Sequence, residues 1–340
     1  MDTWVRSACV LCSNGCGCDI AVKDGRMVGI RGRADRPHQP RAARPEGLYA
    51  SWEGMRGRDR LTHPLVRRDG ELVQATWDEA MEAIVQRSTQ LLEEVGPLSH
   101  GFYTSGQLFI EEYYALAVLG KAGVGTPHMD GNTRLCTATA ATALKETFGA
   151  DGQPGCYEDI DECDAMFLWG HNLAATQTVT WSRVLDRLAG PNPPRLVVID
   201  PRRTPTAEKA EVHLAVRPGT NLALLLCLER ELIENGWIDE EFVNAHTLGL
   251  DELKGQVEQW TPEHAAEVCG VDAEDIRRAA RIFAESPRVL STVLQGFYQA
   301  PQADRVLVPG QQPPPAAGDD RQAGRRHPAD ERAADRAEQP

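Results

Sequence analysis

Apolar and polar positions alternate along 18–33 (CDIAVKDGRMVGIRGR) and break at Asp24-Gly25, the pattern of two short strands joined by a tight turn. Farther on the period lengthens. Over 77–96 the apolar residues recur at helical spacing and stop at Gly96, which predicts an amphipathic helix. Residues 100–106 (HGFYTSG) predict a short strand entering a glycine turn, and 108–125 a helix.

From about residue 137 the pattern becomes α/β. Residues 137–149 predict a helix, 164–170 (DAMFLWG) a buried strand and 178–190 a helix. A second buried strand follows at 195–202 (RLVVIDPR), a third at 211–216, a helix at 221–236 and a fourth strand within 286–297. Strands alternating with helices predict a doubly wound, mostly parallel sheet. Ligands of such sheets sit beyond the carboxyl ends of the strands. Those ends read Gly170-His171-Asn172, Asp200-Pro201-Arg202, Pro218-Gly219-Thr220-Asn221 and Gln295-Gly296. After Ala303 large apolar residues almost vanish, and residues 304–340 are expected to be a disordered tail.

The net charge of −14 disfavours nucleic acid or an anionic membrane as partner, but leaves room for a small anion in a local positive pocket. No run of apolar residues is long enough to span a bilayer. The start, MDTWVRSACV, shows neither an apolar leader nor twin arginines, so the expected location is cytoplasmic.

Of nine cysteines, Cys9, Cys12, Cys16 and Cys18 crowd together, in a first segment (1–60) rich in Gly, Arg and Cys. Cys9-x2-Cys12-x3-Cys16 has the spacing of an iron–sulfur loop. Zinc is the competing metal, although no second cysteine pair exists, and uncommitted thiols are the third reading. Cys18 alternates away from Cys16 and is expected to be a buried thiol. Cys156, Cys163, Cys227 and Cys269 are expected to be small core residues.

The segments CVLCSNGCG, DGRMVGIRG, DRLTHPLVR, WDEA, TSGQ, HMDGNTRLC and GCYEDIDECDAMFLWGHNLAATQTVTW resemble, in order, the bacterial molybdenum bis-molybdopterin guanine dinucleotide (bis-MGD) oxidoreductases. That family includes nitrate reductases and formate dehydrogenases, and the resemblance covers 4–303. It implies a small iron–sulfur-type subdomain at 1–60, part of a molybdopterin-binding α/β domain at 61–135 and a Rossmann-like dinucleotide-binding domain at 136–303. It also implies a 4Fe–4S cluster on Cys9, Cys12 and Cys16, with a fourth ligand in a Cys-x-Lys-Gly motif. Here that place reads Arg44-Pro45-Glu46-Gly47, so the fourth cysteine is missing, and His38 is a weak substitute. Cys136 corresponds to the molybdenum ligand, where the chemistry needs a soft anionic sulfur. Gln107, Asn132, Gly170, His171, Asn172, Asp200, Pro201, Arg202, Gly219, Thr220, Asn221 and Gly296 correspond to cofactor-binding positions. Cys136 is expected to face the cavity of Gly170, Asp200 and Gly296.

Thr137 follows Cys136, where formate dehydrogenases usually have His, so the resemblance implies nitrate as substrate and formate as the alternative. It also implies an electron-donor protein or domain. Family members run well beyond this length, and the expectation is a truncated, inactive chain; a non-catalytic metal-binding fragment is the rival. Codons exist for 304–339 that, read one base later, spell a family-like continuation, which predicts that the tail is a frame-shift product. The same exercise on 38–47 restores the family's Lys-Gly pair.

Overall fold

The computed structural model describes residues 3–9, 17–33 and 61–300. Cys12, Cys16, His38, Arg44, Glu46 and the tail 304–340 lie outside them. The chain divides into two compact units, Met1–Cys136 with Gln177–Val179, and Thr137–Thr176 with Thr180–Pro340.

In the first unit, strands β1 (Thr3–Ala8), β2 (Gly17–Lys23) and β3 (Arg26–Gly32) form an antiparallel sheet in that order. The β2–β3 turn is the expected one. Asp24 and Gly25 have φ of 50° and 70°, the left-handed pair whose twist matches the flanking strands. A second Asp-Gly turn, Asp69-Gly70, joins β4 (Leu65–Arg68) to β5 (Glu71–Gln74). The predicted helix spans Trp77–Glu94. Its start is fixed by a capping box in which Thr76 Oγ1 accepts from Glu79 N (3.2 Å) and Glu79 accepts from Thr76 N (2.8 Å). Parallel strands β6 (Phe102–Thr104) and β7 (Met129–Gly131) are linked through helix Ile110–Ala117, which widens into a π-helical turn at Val118–Val124.

The second unit holds four parallel strands, β8 (Ala165–Trp169), β9 (Arg195–Ile199), β10 (Val212–Leu214) and β11 (Val289–Val293), in the order β10-β9-β8-β11. Both faces are covered, as continuous apolar strands require. Phe167, Trp169, Val197, Ile199 and Leu214 pack beneath Leu224, Leu228, Ile276 and Phe283. Their neighbours Met166, Leu168, Leu196 and Val198 pack on the other face with Leu173, Trp181 and Val184. The period of two in each strand divides one apolar run between two cores.

Residues 240–285, unassigned from the sequence, are helical at Glu240–His246, Leu250–Val257, Pro262–Cys269 and Ala273–Glu285. Asp239, Thr261 and Asp272 cap three of these by accepting from Phe242 N, His264 N and Glu274 N. The chain runs from β8 outward to β10, then crosses back to lay β11 on the opposite side of β8. The topological switch point therefore falls between β8 and β11.

Candidate functional site

In the first unit, Gln107, Asn132 and Cys136 come from the loops at the carboxyl ends of β6 and β7. Asn132 stitches these loops together. Its N–H donates to Thr104 O (3.0 Å), its Oδ1 accepts from Gly106 N (3.0 Å) and its carbonyl accepts from Cys136 N (3.0 Å). Cys136 ends the short helix Thr133–Cys136 and is half-buried. Gln107 is exposed, its N–H donating to Ser105 Oγ at 3.2 Å.

Cys9 leaves β1 directly, and Ala8 pairs with Gly17, so the two ends of the cysteine segment are held side by side. Cys18 is buried as expected, and burial, with the nearby Cys9 thiol, pushes its pKa up. Cys163, Cys227 and Cys269 are also buried. Burial raises Cys163 to about 11 and Cys227 to about 12, so both stay thiols. Cys156 is the correction. It was expected in the core but is exposed in the loop before helix Asp159–Glu162, where its N–H donates to Asp159 Oδ2 (2.7 Å). Among the described residues no three His, Cys, Asp or Glu side chains converge as a metal site.

In the second unit the strand ends meet at the switch point. Gly170 has φ 56°, and a Cβ there would lie 2.3 Å from both Gly296 C and Phe297 N. Gly170 N donates to Ile199 O (2.8 Å), and Gly170 O accepts from Gly296 N (3.2 Å). The missing side chain thus serves the approach of one loop to the other. His171 is buried, with Nδ1 2.9 Å from Thr292 Oγ1. Asn172 Oδ1 accepts from Thr206 Oγ1 (2.8 Å), which orients the amide and leaves its Nδ2 without a partner among the described residues.

Asp200, nearly buried at the end of β9, accepts from Arg202 N (2.8 Å) and so shapes the turn through Pro201. Thr220 turns its hydroxyl onto Arg217 O (2.7 Å) just after Gly219, whose φ is 87°. Asn221 opens helix Asn221–Glu234 and donates to both Gly296 O and Phe297 O (3.3 Å each).

The charge pattern singles out Arg202 and its neighbour Arg203. Every other arginine among the described residues of this unit donates to a carboxylate or a carbonyl: Arg183, Arg187, Arg195, Arg217, Arg230, Arg277, Arg278, Arg281 and Arg288. Arg202 and Arg203 stand exposed beyond β9 with their guanidinium groups unpaired among the described residues. Arg203 escaped the sequence reading.

Residues 60–311 match the family model for molybdopterin oxidoreductases. The chain belongs to the molybdopterin oxidoreductase family. Residues 2–41 match the model of the molybdopterin oxidoreductase Fe4S4 domain. Together the two matches support bis-MGD molybdenum and a 4Fe–4S cluster as the cofactors of this family member. The chain is similar to a nitrate reductase of Symbiobacterium thermophilum, 34% identical over 82% of this chain and 38% of the relative. It is equally similar (34%) to the periplasmic nitrate reductase of Desulfovibrio desulfuricans, over 88% of this chain and 41% of that one. An F420-dependent formate dehydrogenase subunit alpha of Methanococcus maripaludis is again 34% identical, over 82% and 40%. The acetylene hydratase of Pelobacter acetylenicus shares the fold, with a TM-score of 0.70, 23% identity and coverage of 90% of this chain and 42% of that one. The chain thus spans about two fifths of the length of these relatives. They leave the compartment open, one being periplasmic by name. Among the described residues no helix is long and apolar enough to cross a membrane.

The donors fit the cofactor. Cys136 offers the soft sulfur that molybdenum takes. Asn172 and the guanidiniums of Arg202 and Arg203, unpaired among the described residues, offer donors for a phosphorylated nucleotide.

Proposed function

We propose that this chain supplies the molybdenum ligand and one guanine-dinucleotide grip of a nitrate reductase. The observation that carries the nucleotide part is the pair Arg202 and Arg203, exposed beyond β9 and unpaired among the described residues, in a unit whose other described arginines are engaged. A planar guanidinium suits phosphate bidentately. Asn172 adds a neutral donor, and Asp200 an acceptor for ribose or guanine. Cys136 is the molybdenum ligand, positioned through its N–H by Asn132. When bound, the molybdenum cofactor supplies the two-electron chemistry that turns nitrate into nitrite. Cys9, Cys12 and Cys16 hold the iron–sulfur cluster, and an electron-donor protein or domain feeds it.

Thr137 after Cys136 and two nitrate reductase relatives favour nitrate. The formate dehydrogenase relative, equal in identity, supports formate as the second reading. Molybdenum-loaded protein separates them: nitrate-dependent oxidation of reduced viologen supports the first, and formate-dependent reduction of oxidised viologen overturns it.

A further inference from the structure

An asparagine just ahead of a helical turn ordinarily bends its side-chain oxygen back onto an N–H two or three residues on. Asn172 stands in that place, before the turn Leu173–Thr176, but its oxygen is engaged elsewhere. The N–H two residues on, that of Ala174, donates to Thr206 Oγ1 at 3.0 Å. The same hydroxyl donates to Asn172 Oδ1 at 2.8 Å. Thr206 lies on the segment after β9 and is fully buried, with its hydroxyl committed on both sides. The short turn Ala207–Lys209, closed by Lys209 N donating to Thr206 O at 3.1 Å, holds it in place. Having accepted one N–H, the hydroxyl has a single proton to give. That proton settles which way the Asn172 amide faces. With its oxygen and nitrogen exchanged, the Thr206 proton would be left in the interior without an acceptor, at the cost of an unmade buried hydrogen bond.

We propose that Thr206 is a positioning residue: by taking the Ala174 N–H and pinning Asn172 Oδ1, its hydroxyl keeps the Asn172 amide from capping its own helical turn and leaves Nδ2 as a donor for the guanine dinucleotide. Without the hydroxyl, Ala174 N–H lacks an acceptor and Asn172 Oδ1 lacks a donor, and the two close on each other as in an ordinary N-cap. The proposal rests on the dinucleotide reading above and adds that one grip of that site is set from the interior.

Calorimetric titration of the 340-residue chain with GDP tests this. Thr206→Val keeps the shape and loses the hydroxyl, and should weaken GDP binding about ten-fold, as Asn172→Ala should. Thr206→Ser keeps the hydroxyl and should stay close to wild type. Thr206→Val added to Asn172→Ala should cost no further affinity, because one acts through the other. Should Thr206→Val not fold, Thr206→Ala, which leaves room for a water at the lost hydroxyl, takes its place. A further loss in the double variant, or equal losses in Thr206→Ser and Thr206→Val, would reduce Thr206 to a structural tie and overturn the proposal. Unchanged affinity in Thr206→Val would overturn it as well. In each of these cases wild type still binds GDP and Asn172→Ala binds it less, so the dinucleotide reading survives. A wild-type chain that ignores GDP, or an Asn172→Ala variant that binds it as well as wild type, removes the Asn172 grip itself, and the positioning role with it.

Discussion

Arg288 grips Asp164 with two hydrogen bonds, Nε to Oδ2 at 3.0 Å and Nη2 to Oδ1 at 2.9 Å, although 124 residues separate them in sequence. The pair joins the entry of β11 to the entry of β8, opposite the strand ends that carry the candidate site. Arg288 holds the Asp164 carboxyl below its usual range, chiefly through these bonds. The stabilisation is therefore present above the ordinary carboxylate pKa and is lost as pH falls through the lowered value. Both side chains are more than a third exposed, so solvent screening keeps the effect small. Arg288→Ala should cost less than about 1 kcal/mol at pH 7, and thermal melts should show the loss disappearing in acid.

Glu229 has the opposite sign. It lies on helix Asn221–Glu234 beside a cavity of about 20 Å³ lined by Phe167, Trp169, Leu225, Leu228, Leu232, Ala280 and Phe283. Its Oε2 has no hydrogen-bond partner among the described residues. Burial alone lifts its pKa from 4.5 to about 8. The folded chain then holds a proton that the unfolded chain releases, so stability falls as pH rises from about 4.5 to about 8. Glu229→Leu should raise the melting temperature at pH 9 and much less at pH 5. An equal gain at both would show that the carboxyl is not the cause.

Arg202→Ala and Arg203→Ala should each weaken GDP binding by roughly ten-fold, the worth of a charge-assisted hydrogen bond, and reduce its salt dependence. Arg195→Ala serves as the control, because that guanidinium is already engaged by Glu211 and Glu285. Titrations at two salt concentrations check both points. Unchanged affinity in both variants would remove the phosphate role.

Cys136→Ala should leave circular dichroism unchanged, since the residue is half-buried on a four-residue helix and the substitution keeps its backbone bond to Asn132. Molybdenum retained after desalting should drop sharply. Retention equal to wild type would take the metal away from this sulfur.

Iron content separates the cysteines near the N-terminus. Cys18→Ser should keep the iron that anaerobic reconstitution adds, because Cys18 is buried in β2, whereas Cys9→Ser should lose it. Zinc bound in preference to iron during reconstitution would favour the rival metal.

The central strands were legible because residues 165–169 of β8 and 196–199 of β9 are unbroken apolar runs ended by Gly or Asp-Pro, and few other structures accept such a run. The hairpin at Asp24-Gly25 was legible for its turn chemistry. Asp69-Gly70 carries the same signal, but between strands of only four residues the alternation is too short to register. Cys156 misled because an isolated cysteine is most often buried, and its loop offers no periodicity to say otherwise. Arg203 was hidden for another reason. Whether an arginine is spare depends on carboxylates far along the chain, as Asp164 is for Arg288, and no local pattern encodes those pairings.

Gly170 and Gly296 carry a lesson for anyone mapping this protein by mutation. Replacing either with alanine forces carbon into backbone 2.3–2.8 Å away, so both positions should score as intolerant in any functional screen. Such a score is commonly taken as the mark of a residue that handles substrate. Here it would report two stretches of main chain that need each other's space, and the groups facing the ligand would be found among side chains whose loss the fold survives.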